Sequence, residues 1–364
     1  MNRCRLVYLI NKVDYGGAEM GMIRLLSGLD TARFDTTVIT LKAANPDLTS
    51  QLPREIDVIE LRCADRPAVQ EFHRALTRFE RADVLVNSLF PSILIGSVLG
   101  HLTSVPETYV WRHNTPGMSR LRTWLNQGCV ALADGVFADS AATKTLVETW
   151  GVPSEDISVL PLAGIDVESY PAVTHSNDRP IRVGTVGRLI EQKGYDRVVA
   201  CANDLPDCEF HVVGDGPLRP KLEAGPNNLI LHGRVTQDHL TTLWQRFDIY
   251  FQPSRFEGLC ITAIEAMAAG LPVVASATDG LTESVIHGQT GYLIESGDRT
   301  GYEQAINRLA QDADLRAQLG GAGRERVEEH YSQSALIEAF EGAISMPIPS
   351  HERSRPMHQA SVAE

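Results

Sequence analysis

The sequence predicts an α/β protein of two domains, each built on a parallel sheet. Three observations carry this. Short apolar runs alternate with amphipathic stretches along nearly the whole chain, the pattern of repeated βα units. The length of 364 residues suits two domains of ordinary size. The alternation also breaks once, at 168–180 (ESYPAVTHSNDRP), where two prolines and few apolar residues give linker composition. IRVGTVGRL then restarts it with a strand and a glycine turn.

The opening MNRCRLVYLINKV has too short an apolar run for a signal peptide and flows straight into the glycines at 16 and 17, so it is read as a first strand. Strands follow near 36–41, 57–61, 83–87, 107–111, 135–138 and 157–160, with helices between them at 18–29, 67–81, 119–133 and 140–150. The apolar stretch from Leu89 to Leu102 contains Pro91, Gly96 and Gly100. It falls short of the roughly 20 residues that cross a bilayer. After the break, strands are expected near 181–187, 209–213, 229–232, 248–252, 272–275 and 291–294. Helices are expected at 194–202, 217–223, 236–245, 259–269, 299–318 and 322–330, and a last one at 333–345. The domains are therefore placed at 1–167 and 181–330, with a terminal helix in 331–345. The tail, 346–364, has no periodicity and is expected to lack regular structure. A ligand is expected between the domains, beyond the C-terminal ends of the strands.

The net charge is −13, which excludes a general nucleic-acid binder. The chain through Ile165 carries only −2 and the remainder −11, so the first domain is the one whose charge permits peripheral contact with an anionic membrane. The arginines at 66, 74, 78 and 81 share a helix with Glu71 and Glu80 and read as a solvated face. Cysteines at 4, 63, 129, 201, 208 and 260 form no CxxC pair and no zinc spacing. Buried free thiols in a cytoplasmic protein account for them.

The chemistry concentrates in PSRFEGLCITAIEAMAAGLPVVAS, 253–276. Its end is a strand. Before that a helix stops at Gly270, with Pro272 just beyond. Spacing puts the helix start near Gly258 or Leu259, so Glu257 lies at its mouth and Glu265 two turns in. Were all eight steps helical, the carboxylates would stand about 12 Å apart along the axis and about 80° apart around it. That does not suit a glycosidase pair, which faces across about 5–9.5 Å. It suits two grips on one long ligand, each accepting from hydroxyl groups. The amides of Leu259, Cys260 and Ile261 would meet an anion at the positive end of the helix. A second cluster, GRLIEQKG at 187–194, follows a strand with Gly187, Arg188 and Lys193. Two cations there would neutralise a leaving diphosphate without a metal. No acidic metal-binding pair stands in a suitable context, so no metal and no other cofactor is expected.

On these and further motifs the chain resembles the retaining glycosyltransferases of family 4, the group 1 glycosyl transferases, which include bacterial surface-polysaccharide enzymes. The motifs are GGAE (16–19), RHN (112–114), ADGVFADS (133–140), LPLAGID (160–166), VVGDGPLRPKLE (212–223), HGRV (232–235), EGLCITAIE (257–265) and GQTGYLI (288–294). The resemblance implies the GT-B fold, two Rossmann-like α/β/α domains across a deep cleft, with the last helix crossing back. It implies a nucleotide diphosphate sugar as donor, UDP ahead of GDP, and a glycan or lipid-linked glycan as acceptor. Carried over by position, Arg188 and Lys193 hold the diphosphate, Glu257 the transferred sugar and Glu265 the ribose. The residues Gly258, Leu259, Cys260 and Ile261 meet phosphate or sugar. Gly16 and Gly17 approach the donor phosphates, Arg234 and Val235 flank the base, and His113 faces the sugar from the first domain. The implied reaction is front-face transfer with retention. Leu259-Cys260 stands where the family has Phe-Gly, Ala163 where asparagine is commoner, and TDGLTE at 278–283 where a glycine pair is usual. A GT-B epimerase and a catalytically silent GT-B partner subunit remain as alternatives.

Overall fold

The structure, a computed structural model, describes residues 3–62, 69–113, 119–176 and 180–344. The first sheet holds β1 (Cys4–Ile10), β2 (Phe34–Thr40), β3 (Asp57–Glu60), β4 (Val84–Ser88), β5 (Glu107–Arg112), β6 (Gly135–Ala138) and β7 (Ile157–Val159). Their order is β3-β2-β1-β4-β5-β6-β7 and every pairing is parallel. The second sheet holds β8 (Ile181–Val186), β9 (Cys208–Val213), β10 (Leu229–Gly233), β11 (Ile249–Gln252), β12 (Val273–Ser276) and β13 (Gly291–Ile294). It too is wholly parallel, in the order β10-β9-β8-β11-β12-β13.

The strands read as continuous apolar runs because helices cover both faces of each sheet. β1 is buried from Leu6 to Ile10, and β12 throughout. The strand order reverses beside β1 and β4 in one domain and beside β8 and β11 in the other. At such switch points the neighbouring connections leave for opposite faces and open a crevice. The apolar stretch near 89–102 forms a helix, Ser92–Leu102, against β1, β4 and β5. That packing explains its composition.

The chain crosses between the domains twice, side by side. Ile165 donates to the Tyr331 carbonyl at 2.9 Å, and Gln333 donates to the Ile165 carbonyl at 3.0 Å. The final helix, Gln333–Ala343, then packs on the first-domain helix Gly17–Gly28. Its Leu336 and Phe340 join the first-domain core, where Phe340 stacks on Trp111 at 6.3 Å. The segment after 167 is less free than its composition suggests. Val167 and Tyr170 are buried in the second-domain core, and Arg324 donates to the carbonyls of Val167, Tyr170 and Ala268.

Three expectations are corrected. The central helix of the glutamate motif runs Ile261–Ala268 and starts two residues or more later than its spacing suggests. Cys260 precedes it in the left-handed region at φ 54°. The eight steps from Glu257 to Glu265 are therefore not all helical, and the 12 Å and 80° reckoning does not apply. The pair expected at 299–318 and 322–330 divides at Asp312 instead, giving Arg299–Gln311 and Ala313–His330. Asp312 caps the second by accepting from the Leu315 amide. Gly320, in the expected gap between the two helices, sits inside the second one, where a Cβ would lie 1.9 Å from the Gly270 carbonyl oxygen. The glycine serves close helix packing. Of the cysteines, 4, 129, 201, 208 and 260 are free and buried. Burial pushes the Cys201 thiol up to about 12. Cys63, Arg66, Asn114, the first two residues of the helix expected from 67, and the tail beyond Ile344 lie outside the described residues.

Candidate active site

Between the sheets, at the C-terminal ends of β8 and β11, the second domain brings together the two clusters that stand 64 residues apart in sequence. Lys193 Nζ donates to Glu257 Oε1 at 2.7 Å. The same oxygen accepts from Ser254 Oγ at 2.6 Å and lies 3.4 Å from Gln252 Nε2. The ion pair is nearly dry, its side chains 14% and 7% exposed. Burial alone would depress the Lys193 ammonium, but the adjacent Glu257 charge outweighs it and holds its pKa above 10.5. The local fold makes this close approach. Gly194 turns the chain at φ +71°, and a Cβ there would stand 2.1 Å from the Pro253 carbonyl oxygen.

With Oε1 engaged, Glu257 keeps Oε2 for further hydrogen bonds, and Lys193 keeps two of its three N–H groups. The Glu257 amide donates to Asp279 Oδ2 at 3.2 Å, which ties the TDGLTE loop to the glutamate loop. Among the described residues the amides of Gly258, Leu259, Cys260, Ile261 and Thr262 have no acceptor in the protein, the usual state of a helix N-terminus. Cys260 is buried, and its thiol is pushed up to about 12 by burial and by Glu257. Both causes favour the thiol over the thiolate, which is the nucleophilic form. Arg188, beyond Gly187 at the end of β8, is exposed and its guanidinium makes no hydrogen bond or ion pair among the described residues. Lys193 feels its charge. This part of the second domain thus gathers two cations, five amides without a protein acceptor and one carboxylate oxygen free of protein partners.

The first domain faces this cluster. A Cβ on Gly17 would lie 3.4 Å from Ile261 Cδ1, so the glycine loop abuts the mouth of the helix. Glu19, two residues on, has a carboxyl raised by burial and lies within the fields of His113 and Arg188. His113 follows β5 directly. Its Nε2 is 3.0 Å from Ser88 Oγ at the end of β4, and its Nδ1 is 3.4 Å from Asp139 Oδ2 at the end of β6. Three neighbouring strand ends thus hold the imidazole between two polar groups. Asp139 is held in turn by Thr143 Oγ1 at 2.6 Å.

Glu265 is buried, and its Oε1 is 2.5 Å from Arg24 of the first domain. Arg234 projects across the cleft, its guanidinium 4.7 Å from the Tyr15 ring and 3.9 Å from Asp14. Val235 beside it is half-buried. Sequence reasoning missed Arg24, Ser88, Asp139, Ser254 and Glu283. Glu283 reaches the first domain and accepts from the Ala141 and Ala142 amides at 2.7 and 2.9 Å, capping the helix Ala141–Glu148. Asp139, Ser254 and Glu283 lie within motifs that had been singled out, so their signal was position in a motif. Arg24 lies in an ordinary amphipathic helix and gave none. Among the described residues no group of three or more His, Cys, Asp or Glu side chains is arranged to hold a metal ion. Among the described residues no helix is long and apolar enough to cross a membrane.

Two family models match the chain and together span residues 15–326. The model "Glycosyltransferase Family 4" matches residues 15–169 and "Glycosyl transferases group 1" matches 166–326. An uncharacterized glycosyltransferase of Haemophilus influenzae is 22% identical over 93% of this chain and 98% of its own. The lipopolysaccharide core biosynthesis glycosyltransferase LpsE of Rhizobium meliloti is 29% identical over 45% of this chain and 49% of its own length. The first four curated relatives are matched over 36% to 65% of their lengths. Among solved structures, HepE of Anabaena in complex with UDP and glucose superposes with a TM-score of 0.79 at 18% identity, over 93% of this chain and 98% of that one. Sucrose-phosphate synthase of Thermosynechococcus elongatus gives 0.76 at 19% over the same shares. The fold is GT-B.

Proposed function

This chain belongs to glycosyltransferase family 4, and from that membership we propose that it transfers a hexose-type sugar from a nucleotide diphosphate donor, UDP ahead of GDP, to a hydroxyl of a glycan or lipid-linked glycan. The observation that carries the reading is the assembly of Arg188, Lys193 and the open amides of 258–262 around Glu257. Two cations and a helix terminus suit a diphosphate. A carboxylate with one oxygen free suits a sugar hydroxyl. HepE, similar in fold, was solved with UDP and with UDP-glucose, which supports a UDP donor here.

The reaction proposed is front-face substitution with retention. The bond from the anomeric carbon to the phosphate oxygen breaks, the acceptor oxygen bonds to the same face, and the acceptor proton passes to the departing phosphate oxygen. Arg188 and Lys193 stabilise charge that grows only as that bond breaks. Glu257 orients the sugar, Glu265 the ribose, and Arg234 with Val235 the base edge. Gly16 and Gly17 bring the first-domain backbone up to the phosphates, and His113 meets the sugar from above. The cations in place make a metal unnecessary for this step.

For the acceptor side we propose a peripheral dock on an anionic, cytoplasmic membrane face. From Val84 to Ala133 the only acid is Glu107, against Arg112, Arg120 and Arg122, in a chain of net −13; Arg112 is buried, so Arg120 and Arg122 are the two at the surface. On the helix Arg120–Val130, Leu121 and Trp124 are 66% and 67% exposed on one face with those arginines nearby. That is the chemistry of an interfacial helix. The helix at 69–81 has its Arg74 and Arg78 committed to Asp57.

The test is release of nucleotide from a panel of UDP- and GDP-sugars, with and without glycan acceptors, and product anomers read by NMR. Turnover with retention that survives EDTA is expected. Consumption of donor to an isomeric nucleotide sugar without acceptor makes it an epimerase, and no turnover of any donor makes it a silent partner. Co-sedimentation with anionic vesicles that is lost in L121S/W124S is expected for the dock. Equal binding by that variant removes the dock.

A further inference from the structure

Arg24 makes contacts that the donor reading does not use. It stands on the first-domain helix Gly17–Gly28, yet all three of its side-chain partners lie elsewhere. Nη2 donates to Glu265 Oε1 at 2.5 Å and to the Tyr170 hydroxyl at 3.2 Å, and Nη1 donates to the Ala163 carbonyl at 3.1 Å. Glu265 belongs to the second domain, Ala163 to the segment leaving the first, and Tyr170 to the stretch between them. Its own carbonyl accepts from Gln333 Nε2 at 2.6 Å, on the returning helix. Arg24 and Glu265 are 15% and 8% exposed.

A planar guanidinium held on three sides cannot swing, so it fixes the carboxylate it bonds. Arg24 bonds Oε1 and the Tyr170 hydroxyl also bears on this carboxylate, and a carboxylate with about four acceptor positions still has room to accept from a vicinal diol. We propose that Arg24 is a positioning residue for the donor. It reaches from the first domain to aim the Glu265 carboxylate at the nucleotide ribose, which makes ribose recognition depend on the closed arrangement of the two domains. The proposal rests on the reading of Glu265 as the ribose grip.

The test measures binding of UDP and 2′-deoxy-UDP by calorimetry to the wild type, R24Q and E265Q, with KM and kcat for the donor. The wild type is expected to prefer UDP at least tenfold. R24Q should reduce that preference to threefold or less and raise KM tenfold or more, with kcat within threefold. A merely structural tie between domains would weaken both nucleotides equally, and a preference kept in R24Q overturns the proposal. If E265Q loses the preference while R24Q keeps it, the fault lies with Arg24 alone. If E265Q keeps it, or the wild type has none, the ribose reading fails and this inference with it. R24M, which preserves the packed stem, carries the same expectations should R24Q not fold.

Discussion

Replacing Lys193 with methionine separates the two things that this lysine does. Methionine preserves much of the buried stem and removes only the ammonium. In the folded protein that leaves Glu257, 7% exposed, without its cation. Breaking a buried pair by removing one partner costs about 3–5 kcal/mol. Ser254 still donates to the same oxygen at 2.6 Å and Gln252 stands at 3.4 Å, so the lower end, about 3 kcal/mol, is expected. For a domain of this size that is a fall in Tm of about 6–12 °C. The pH dependence follows from the raised folded value of Lys193. The pair contributes fully below pH 10.5 and is lost as pH rises through that higher value. The difference in stability between wild type and K193M should hence be flat across neutral pH and narrow only above 10.5. Catalysis should suffer separately, since one less cation on a leaving diphosphate costs about 10²–10³ in kcat. Calorimetric melts from neutral to alkaline pH and a nucleotide-release assay measure both. A folded K193M that releases nucleotide at the wild-type rate would refute the assignment of the cation to the leaving group.

S88A removes one of the groups that hold the His113 ring, and loss of one such bond, about 1 kcal/mol, should lower kcat about fivefold with donor KM unchanged. Steady-state kinetics decide it, and a change confined to KM would contradict the arrangement. E283A frees the Ala141 and Ala142 amides, while Ser140 still caps that helix, and should cost about 1 kcal/mol in a melt. It should also widen the ligand-free particle by small-angle scattering, and an unchanged radius would show that the contact does not hold the domains together. F340A empties a fully buried position beneath Trp111 and should cost about 3–5 kcal/mol by denaturant titration, with nucleotide binding intact in the variant that remains folded.

The sheets were legible because parallel strands covered on both faces need apolar runs, which β1 and β12 supply, whereas the edge strands β3 and β10 are less buried and carry polar residues. Boundaries were less legible. The start of the glutamate helix turns on Cys260, a residue type with no preference for the left-handed conformation it adopts. The Asp312 cap was hidden because an aspartate in a polar helical stretch suits a solvated helix position as well as a cap. At the site, residues near strand ends carried their own signal. Contacts between domains did not. Arg24 and Glu265 are 241 residues apart, and neither helix pattern announces that its polar position meets a partner on another sheet. Such pairings follow from how two finished surfaces meet, and periodicity reports only how each surface is made.

The two adjacent crossings, at Ile165 and Ser332, also set rules for recombination. The helix that seals Trp111 and Phe137 arrives only after the whole second domain has been traversed. A chimera that exchanged donor domains at a single junction near 167 would bring in a foreign closing helix and mismatch the stacked rings of the recipient. Cuts at both crossings would move the donor domain as a cassette and leave each aromatic core with its native lid. The contacts of Arg24, Arg234 and Glu283 would then be among the matches across the seam left to restore.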